Sequence, residues 1–440
     1  MTMVVRKERF KVLQTRRPIS SQIVSNITVP RFFCVKQNFK CNSIIPADIP
    51  RIIKQVLDQD MIGSTIRKGM KIAITVGSRG IANLPVLVKS IVDYVKSREG
   101  LPFVIPAMGS HGSATAEGQL SLLEAYGITE EYIGCPIISS MDVVCLGKTV
   151  DGKDVYIDKN AATSDGIIVF CRIKPHTAFR GDYESGIMKM MAIGLGKQKG
   201  AEACHESGFN ALGRNIEEFG RIVLNHAPIL FAVPIIENAF EETEQIYAIK
   251  ADDIIVEEPK LLKEAYSLMP RLWEDNCDVL VVDSIGKNYS GDGMDPNITG
   301  TFSTPYATGG IKSQRVCILD LSDETHGNGV GIGMAHVTTQ RAVNKLDLDS
   351  MYANVITSTV LGGVKIPLIM DSDRRAIQAC IQTCSGIDKM NPKIIRIPNS
   401  MHISRIWLSE AFYEEVKSNP NYSIQSEPVF LNFNDDGDLW

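Results

Sequence analysis

Residues Lys71–Gly109, KIAITVGSRGIANLPVLVKSIVDYVKSREGLPFVIPAMG, contain the pattern that most clearly indicates the fold class. Its opening run, KIAITVG, is short, apolar and rich in β-branched residues, which predicts a buried strand. NLPVLVKSIVDYVKSREG then spaces its apolar residues as on one face of a helix and closes on Gly100. PFVIPAMG supplies a second apolar strand. A strand, a helix and another apolar strand in succession predict an α/β unit with parallel strands.

The same alternation continues along the 440-residue chain, whose length suggests two or three domains. Further strands are predicted in SDGIIVFCRI, ILFAVPIIEN, DVLVVDSIG and RVCILDL, and helices in segments such as RNIEEFGRIVLNH. We therefore predict an α/β protein of two domains, with mainly parallel sheets and an active-site cleft between the domains. The boundary is placed near Trp273, so that residues 1–272 carry the site and residues 273–440 close the cleft.

Composition and charge exclude several classes of protein. The 46 basic and 51 acidic residues are mixed along the chain, without the basic stripe of a nucleic-acid or membrane-surface protein. One basic cluster, VVRKERFKVLQTRRP near the N-terminus, is interpreted as a solvated arm or an edge strand. The sequence shows no signal peptide and no apolar run of about 18 residues, so a cytoplasmic protein is predicted. Ten scattered cysteines without a CxxC pair argue against a zinc ribbon.

Three predicted loops follow strands of the first domain, where α/β sheets bind ligands. They are GSRG (Gly77–Gly80), GSHGSATAEGQ from Gly109, and the segment Ile173–His205, IKPHTAFRGDYESGIMKMMAIGLGKQKGAEACH. These loops carry three of the seven histidines, namely His111, His176 and His205, together with Lys189. We predict that these four side chains form one site.

The residue types suggest acid–base work beside a cofactor or metal. Histidine shuttles protons near neutral pH and binds metals, and a desolvated lysine loses its proton more easily and becomes a nucleophile. The glycines around His111 allow close approach of a ligand, Thr115 is predicted to cap the next helix, and Arg79 suits an anion. Lys197 and Lys199 are interpreted as lysines that reach the solvent. These residues alone would also suit a hydrolase.

In their order and spacing, these loops resemble the nickel-dependent lactate racemase family. TVGSRGIANLP resembles the family's arginine-bearing loop, and GSHGSATAEGQ resembles its histidine loop. Pro175-His176 then leads through a glycine-containing run to Lys189, and His205 follows sixteen residues later, as in the family. The resemblance covers the first domain well and the second only loosely, which implies a divergent member.

The resemblance implies a nickel-pincer nucleotide, a pyridinium-3,5-bisthiocarboxylic acid mononucleotide that carries nickel. Lys189 would hold it through a thioamide link, and His205 would be the protein ligand of the nickel. Arg79 would bind the cofactor phosphate or the substrate carboxylate. Ser185 and Gly186, in the run before the lysine, would line the cofactor. A host without the cofactor-synthesis enzymes would produce the protein without its cofactor.

The resemblance also implies an isomerase, a racemase or epimerase of a 2-hydroxy acid. His111 and His176 would act as acid and base on the substrate hydroxyl, one on each face, while a hydride moves to the cofactor and back. The partners implied are the small-molecule substrate and the cofactor-synthesis enzymes, with no nucleic acid and no membrane. A homo-oligomer is compatible with the sequence.

The second domain departs from the family pattern. Asp295 and Asn297, in GDGMDPNITGTFS, resemble the family's Asp-x-Asn loop, but Gly300 and Ser303 stand where the family has a glutamine and a lysine that bind lactate. Lys287 is a candidate replacement cation. The substrate is therefore predicted to be lactate or a larger or more polar 2-hydroxy acid. The run from His176 to the site lysine is also about three residues longer than is typical of the family.

Two other classes of function stay open from the residues alone. The first is a non-catalytic protein that binds an anionic metabolite through Arg79 and the glycine loops. The second is a metal-dependent hydrolase with zinc on His111, His176 and His205, for which Glu184 is the local candidate base.

Overall fold

The structure is a computed structural model that describes residues 18–440. The basic N-terminal cluster lies almost entirely outside these residues, and with it the prediction of an arm or an edge strand. The helices are α1 (Pro18–Val24), α2 (Ile49–Asp58), α3 (Leu84–Ser97), α4 (Ala116–Ala125), α5 (Glu130–Ile133), α6 (Lys159–Ala162), α7 (Ile187–Lys189), α8 (Lys197–His205), α9 (Phe209–His226), α10 (Ile254–Leu268), α11 (Pro296–Thr299), α12 (Gln340–Asn344), α13 (Leu348–Ser358), α14 (Asp373–Thr383) and α15 (Tyr413–Lys417). The strands are β1 (Arg31–Gln37), β2 (Lys71–Val76), β3 (Leu101–Pro106), β4 (Val143–Lys148), β5 (Asp154–Asp158), β6 (Gly166–Arg172), β7 (Ile229–Glu237), β8 (Thr243–Ile246), β9 (Ile249–Lys250), β10 (Asn276–Ile285), β11 (Lys312–Leu321), β12 (Val337–Thr339), β13 (Leu368–Met370), β14 (Ile394–Ile397), β15 (Arg405–Ser409), β16 (Tyr422–Ile424) and β17 (Val429–Phe430).

The described chain forms two compact units, residues 40–269 and residues 18–39 with 270–440. The division of 1–272 from 273–440 therefore needs a correction at its N-terminal end. Strand β1 belongs with the second unit because it pairs antiparallel with β15, with Cys34 opposite Trp407. Reading along the chain assigns a strand to its sequence neighbours, whereas this pairing joins segments more than 370 residues apart.

The sheet of residues 40–269 has the strand order β3-β2-β6-β7-β8, with β9 also paired to β7. Strands β3, β2, β6 and β7 run parallel, and β8 and β9 are antiparallel to β7. Alternate residues of β6 face opposite sides: Ile167 joins the core beneath α9, and Ile168 joins the core beneath α3. Both faces of the sheet are covered by helices, and the predicted α/β class is confirmed.

Two features of this unit place the candidate site. The parallel strands β2, β3 and β6 are hydrogen-bonded neighbours, so the loops that follow them leave the same edge of the sheet. An antiparallel hairpin of β4 and β5, which the sequence did not reveal, ends at the buried Asp158. It lies between the histidine loops in sequence and contributes a charge to their support.

The second unit contains a sheet with the order β13-β12-β11-β10-β14-β15-β1-β16, in which β17 also pairs with β1. Strands β13, β12, β11, β10 and β14 are parallel, and the strands beyond β14 are antiparallel. The C-terminal tail packs on this unit: the backbone N–H of Leu439 donates to Asp373 at 2.9 Å. Within residues 18–440, no helix has the length and apolarity that a membrane crossing requires.

Candidate functional site

The candidate site is built from three loops at the carboxyl ends of β2, β3 and β6. The loop after β2 carries Arg79, which is exposed, and the loop after β3 carries His111. The segment after β6 carries His176 and then, in the helical turns that follow, Lys189 and His205. All five predicted residues therefore belong to the unit of residues 40–269.

His111 lies in a tight loop that the next helix holds in place. Thr115 caps α4 as predicted, because its Oγ1 accepts the backbone N–H of Gly118 at 3.0 Å. A Cβ on Gly118 would lie 2.0 Å from the carbonyl oxygen of Gly112. The buried Gln119 donates its side-chain amide to two loop carbonyls, including that of His111 at 3.2 Å. The glycines here are thus required by the close packing of loop and helix.

A buried lysine that the sequence did not reveal supports the same loop. The prediction of a solvent-reaching side chain is wrong for Lys197, which is completely buried. Its Nζ lies 3.2 Å from Asp158 Oδ2 and 3.3 Å from Gln119 Oε1, and also donates to the carbonyl oxygen of Pro106. The residue has a positive φ of 53°, a conformation that persists only where the surroundings fix it. One cation therefore joins the loop after β3 to the helix that ends at His205.

His176 lies in a loop organised around the buried Glu184. The carboxylate accepts the backbone N–H of His176 at 2.7 Å and the hydroxyl of Tyr266 at 3.0 Å. Arg180 donates to the carbonyl oxygen of His176 at 2.6 Å and lies 3.4 Å from the carboxylate. The backbone N–H of Ala178 donates to His176 Nδ1 at 3.0 Å. Because Glu184 is engaged in holding this loop, it does not fit the role of a hydrolase base.

Ser185 and Gly186, the predicted cofactor-lining residues, connect this loop to the next helix. Ser185 is half-buried and exchanges two backbone hydrogen bonds with Lys174, at 2.9 and 3.3 Å. A Cβ on Gly186 would lie 2.2 Å from Glu258 Oε1. A Cβ at this position would therefore displace the carboxyl group of Glu258 in α10.

Glu258 is a residue that sequence reasoning missed. It is 1% exposed and accepts the backbone N–H of Met188 at 2.9 Å, at the start of the short helix that carries Lys189. A carboxylate at this end of a helix satisfies an unpaired N–H group. Burial raises the pKa of Glu258 to about 8. No local pattern marks this residue, because its partners lie 70 residues earlier in the chain.

Lys189 lies at the end of α7, where the chain enters a π-helical turn, Met190–Gly194. The backbone N–H of Leu195 donates to the carbonyl oxygen of Met190 at 2.8 Å and closes this wide turn. Turns of this kind are frequent at functional sites. Burial and then the positive charge of Arg79 lower the pKa of Lys189 to about 8. Its amine is accordingly easier to deprotonate than that of an ordinary lysine.

Ring hydrogen bonds decide which nitrogen of each histidine is available. His111 Nδ1 lies 2.9 Å from the carbonyl oxygen of Met108, and His205 Nδ1 lies 2.6 Å from that of Ala201. A carbonyl oxygen only accepts hydrogen bonds, so Nδ1 carries the proton in both neutral rings and Nε2 keeps its lone pair. Such an Nε2 can accept a proton or bind a metal.

Electrostatic effects join these residues into one site. Burial is the main cause that lowers the pKa of His111, His176 and His205, and the positive charge of Lys189 lowers each of them further. Arg79 lowers the pKa of His111 and of Lys189. A charge shifts the pKa of another group only when the two lie near each other. The structure therefore brings together the five residues of the predicted cofactor and catalytic site.

The predicted substrate residues Lys287, Asp295 and Asn297 lie in the other unit, where they have local partners. Lys287 Nζ donates to the carbonyl oxygen of Gly291 at 2.5 Å. Asp295 caps α11, because its Oδ1 accepts the backbone N–H of Asn297 at 2.9 Å. These contacts shape the loop around α11, and a role in binding substrate stays a prediction.

The grouping of metal-binding side chains bears on the zinc hypothesis. Within residues 18–440, no three His, Cys, Asp or Glu side chains are grouped so that they could hold a metal ion. The hypothesis of zinc on His111, His176 and His205 therefore lacks the three converging ligands that such a site requires.

Comparisons with known proteins relate part of the chain to a known family. Residues 35–215 match the family model described as the lactate racemase N-terminal domain. Among solved structures, the chain is similar to the lactate racemase apoprotein from Thermoanaerobacterium thermosaccharolyticum, with 14% identity, a TM-score of 0.49, and coverage of 83% of this chain and 94% of that one. None of the curated protein sequences compared with the chain matches it. The family model thus identifies residues 35–215 of this chain as similar to the lactate racemase N-terminal domain.

Proposed function

We propose that this protein is an isomerase, a racemase or epimerase of a 2-hydroxy acid that works with a nickel-pincer nucleotide. The observation that carries the proposal is the setting of Lys189. Its amine, with a pKa of about 8, is electrostatically coupled to three histidines within the segment that matches the lactate racemase N-terminal domain. A nucleophilic amine beside proton-transferring imidazoles suits a covalently held cofactor.

The chemistry of the residues fits such a cofactor. Lys189 offers the amine for a covalent link, and its lowered pKa increases the fraction of the neutral, nucleophilic form. His205 offers a lone pair on Nε2 for nickel, because its Nδ1–H is directed to the carbonyl oxygen of Ala201. Arg79 is exposed and offers a cation for the nucleotide phosphate. When bound, the cofactor would supply an electrophilic ring that accepts a hydride and returns it.

The chain's own residues would handle the substrate hydroxyl. His111 suits the role of base: burial and the charges of Arg79 and Lys189 keep its pKa low, so the ring is neutral near pH 7. Its Nε2 lone pair would take the hydroxyl proton. His176 is the second imidazole of the site and would act on the same oxygen. Arg79 also suits the substrate carboxylate, the group shared by all 2-hydroxy acids.

The substrate proposed is a 2-hydroxy acid larger or more polar than lactate, with lactate itself retained as a candidate. Gly300 has a φ of 72°, and a Cβ there would lie 2.0 Å from the carbonyl oxygen of Ile311. No side chain therefore fits at a position where the resemblance places a lactate-binding one. Lys287, Asp295 and Asn297 are proposed to contact the substrate, since they supply a cation and two polar groups.

The deciding experiment measures the intact mass of protein produced together with cofactor-synthesis enzymes. Wild type is compared with Lys189→Ala and with the control variant Lys199→Ala. Lys199 suits the control because its side chain is exposed and lies over the ring of Tyr156. We expect a nucleotide-sized mass gain in wild type and Lys199→Ala and none in Lys189→Ala. The loaded protein should then interconvert the enantiomers or epimers of at least one member of a 2-hydroxy-acid panel, which polarimetry or chiral chromatography detects.

Two controls make the result interpretable. A known lactate racemase produced in the same cells must gain mass, and thermal unfolding must show that Lys189→Ala is folded. Wild type without a mass gain under these conditions would refute the cofactor proposal and favour an anion-binding protein. A mass gain that persists in Lys189→Ala would refute the assignment of Lys189.

A further inference from the structure

We infer that His176 presents a fixed N–H group at Nε2 and acts as a neutral hydrogen-bond donor, which leaves His111 as the residue that takes and returns the substrate proton. The part of this inference that concerns the substrate rests on the proposed function. The assignment of the proton within the ring rests on the structure alone. It divides two histidines that the resemblance treats as equivalent.

The first observation is the hydrogen bond to the ring. The backbone N–H of Ala178 donates to His176 Nδ1 at 3.0 Å. A nitrogen that accepts a hydrogen bond uses its lone pair and carries no proton. A neutral imidazole has one ring proton, which in His176 must therefore be on Nε2. His111 and His205 have the opposite tautomer, since their Nδ1 atoms face carbonyl oxygens.

The loop keeps this ring in its orientation. The backbone N–H of His176 is held by Glu184 at 2.7 Å, and its carbonyl oxygen accepts from Arg180 at 2.6 Å. The imidazole packs on the ring of Phe179 with centroids 4.3 Å apart. A rotation that turned Nδ1 away from Ala178 would break this hydrogen bond.

The surroundings also oppose a second proton on the ring. The positive charges that act on His176 include those of Lys189, Lys174 and Arg180. Burial and these charges place the pKa of His176 well below its ordinary value. The nearby carboxylate of Glu184 accepts the backbone N–H of His176, and Arg180 and Tyr266 share it.

The consequence for catalysis follows from the two tautomers. When the substrate O–H bond breaks, a new N–H bond can form on His111 Nε2, and the resulting imidazolium keeps its Nδ1–H bond to Met108. The same proton then returns to the substrate oxygen. His176 cannot replace His111 in this exchange, because loss of its Nε2 proton would give an imidazolate. A neutral imidazole can instead donate a hydrogen bond to an oxygen on which negative charge develops.

Long-range ¹H–¹⁵N correlation spectra of cofactor-free protein with ¹⁵N-labelled histidine test the tautomers directly, because the two ring nitrogens differ in chemical shift when one is protonated. The seven histidines provide internal references. His336 Nδ1 also accepts a backbone N–H, from Val316 at 3.0 Å, and His226 Nδ1 faces the carbonyl oxygen of Ile222 at 2.9 Å. We expect His176 to resemble His336, and His111 to resemble His226.

Signals are assigned from spectra of His176→Gln and His111→Gln, and the pH is varied from about 6 to about 8.5, around the ordinary histidine pKa. An unprotonated Nε2 on His176, or uptake of a second proton within this range, would overturn the inference. This outcome does not depend on any cofactor or substrate, so it is distinct from a failure of the proposed function.

Loaded enzyme then tests the role. Glutamine keeps an N–H donor but is not a base, so His176→Gln should retain far more racemase activity than His176→Ala. His111→Gln should lose about 10²–10⁴-fold, the usual contribution of a general base. Equal losses in His176→Gln and His111→Gln, with the tautomer as inferred and both variants folded, would refute the donor role.

Discussion

Replacing Lys197 by methionine should destabilise the unit of residues 40–269 strongly. Lys197 and Asp158 are both completely buried, with Nζ 3.2 Å from Oδ2. Within the described chain, Asp158 Oδ2 has no hydrogen-bond partner apart from this ion pair. Removal of one partner from a buried pair leaves an uncompensated charge and typically costs about 3–5 kcal/mol. The free energy of unfolding of Lys197→Met should fall by this amount.

For a unit of this size, each kcal/mol lost from the free energy of unfolding lowers the thermal midpoint by about 2–4 °C, so the midpoint should fall by about 6–20 °C. Thermal and urea unfolding followed by circular dichroism measure both quantities. Lys199→Met is the matched control, since it removes an exposed lysine two residues later and should change stability by less than about 0.5 kcal/mol.

The double variant Lys197→Met with Asp158→Asn separates the charge from the packing. Asparagine keeps an oxygen to accept the backbone N–H groups of Asn160 and Ala161, which Asp158 Oδ1 now accepts at 2.8 and 3.0 Å. With neither charge buried, most of the lost stability should return. A single variant as stable as Lys199→Met, or a double variant less stable than Lys197→Met, would refute the reasoning.

Two further predictions concern residues that hold the site. Gly118→Ala should displace the His111 loop, because the new Cβ would lie 2.0 Å from the carbonyl oxygen of Gly112. The free energy of unfolding should fall by about 1–3 kcal/mol. The control for denaturant unfolding is Gly362→Ala, whose Cβ would lie 3.6 Å from its nearest neighbouring atom. Equal stability of the two variants would contradict this packing. Glu258 has a folded-state pKa of about 8 against an ordinary 4.5, so the folded state binds more protons and stability falls as pH rises between these values. Urea unfolding at several pH values should show this slope reduced in Glu258→Gln; an unchanged slope would contradict the burial of an ionisable Glu258.

Local patterns in the sequence predict much of this fold. Each strand of the sheet of residues 40–269 that carries a site loop is a short apolar run, and each helix that covers it has an apolar face. Such patterns are properties of neighbouring residues, and they suffice for the α/β class. They fail for β1, whose partner β15 lies at the other end of the chain.

The residues of the candidate site were also predictable only in part from the sequence. Order and spacing along the chain single out His111, His176, Lys189 and His205, and the structure places them within reach of one another's charges. Glu258 escapes such reasoning, because it contacts this region only through folding and no motif surrounds it.

Lys197 and Lys199 differ in a way that their local sequence does not predict. In GKQKG the two lysines have nearly identical neighbours, yet one is completely buried against Asp158 and the other is exposed. Patterns among neighbouring residues predict the α/β class and name the side chains that could do chemistry. The burial of charges, their partners and the tautomers of His111, His176 and His205 follow from the folded structure. The physical reason is that desolvation and hydrogen bonding depend on contacts between segments far apart in the chain.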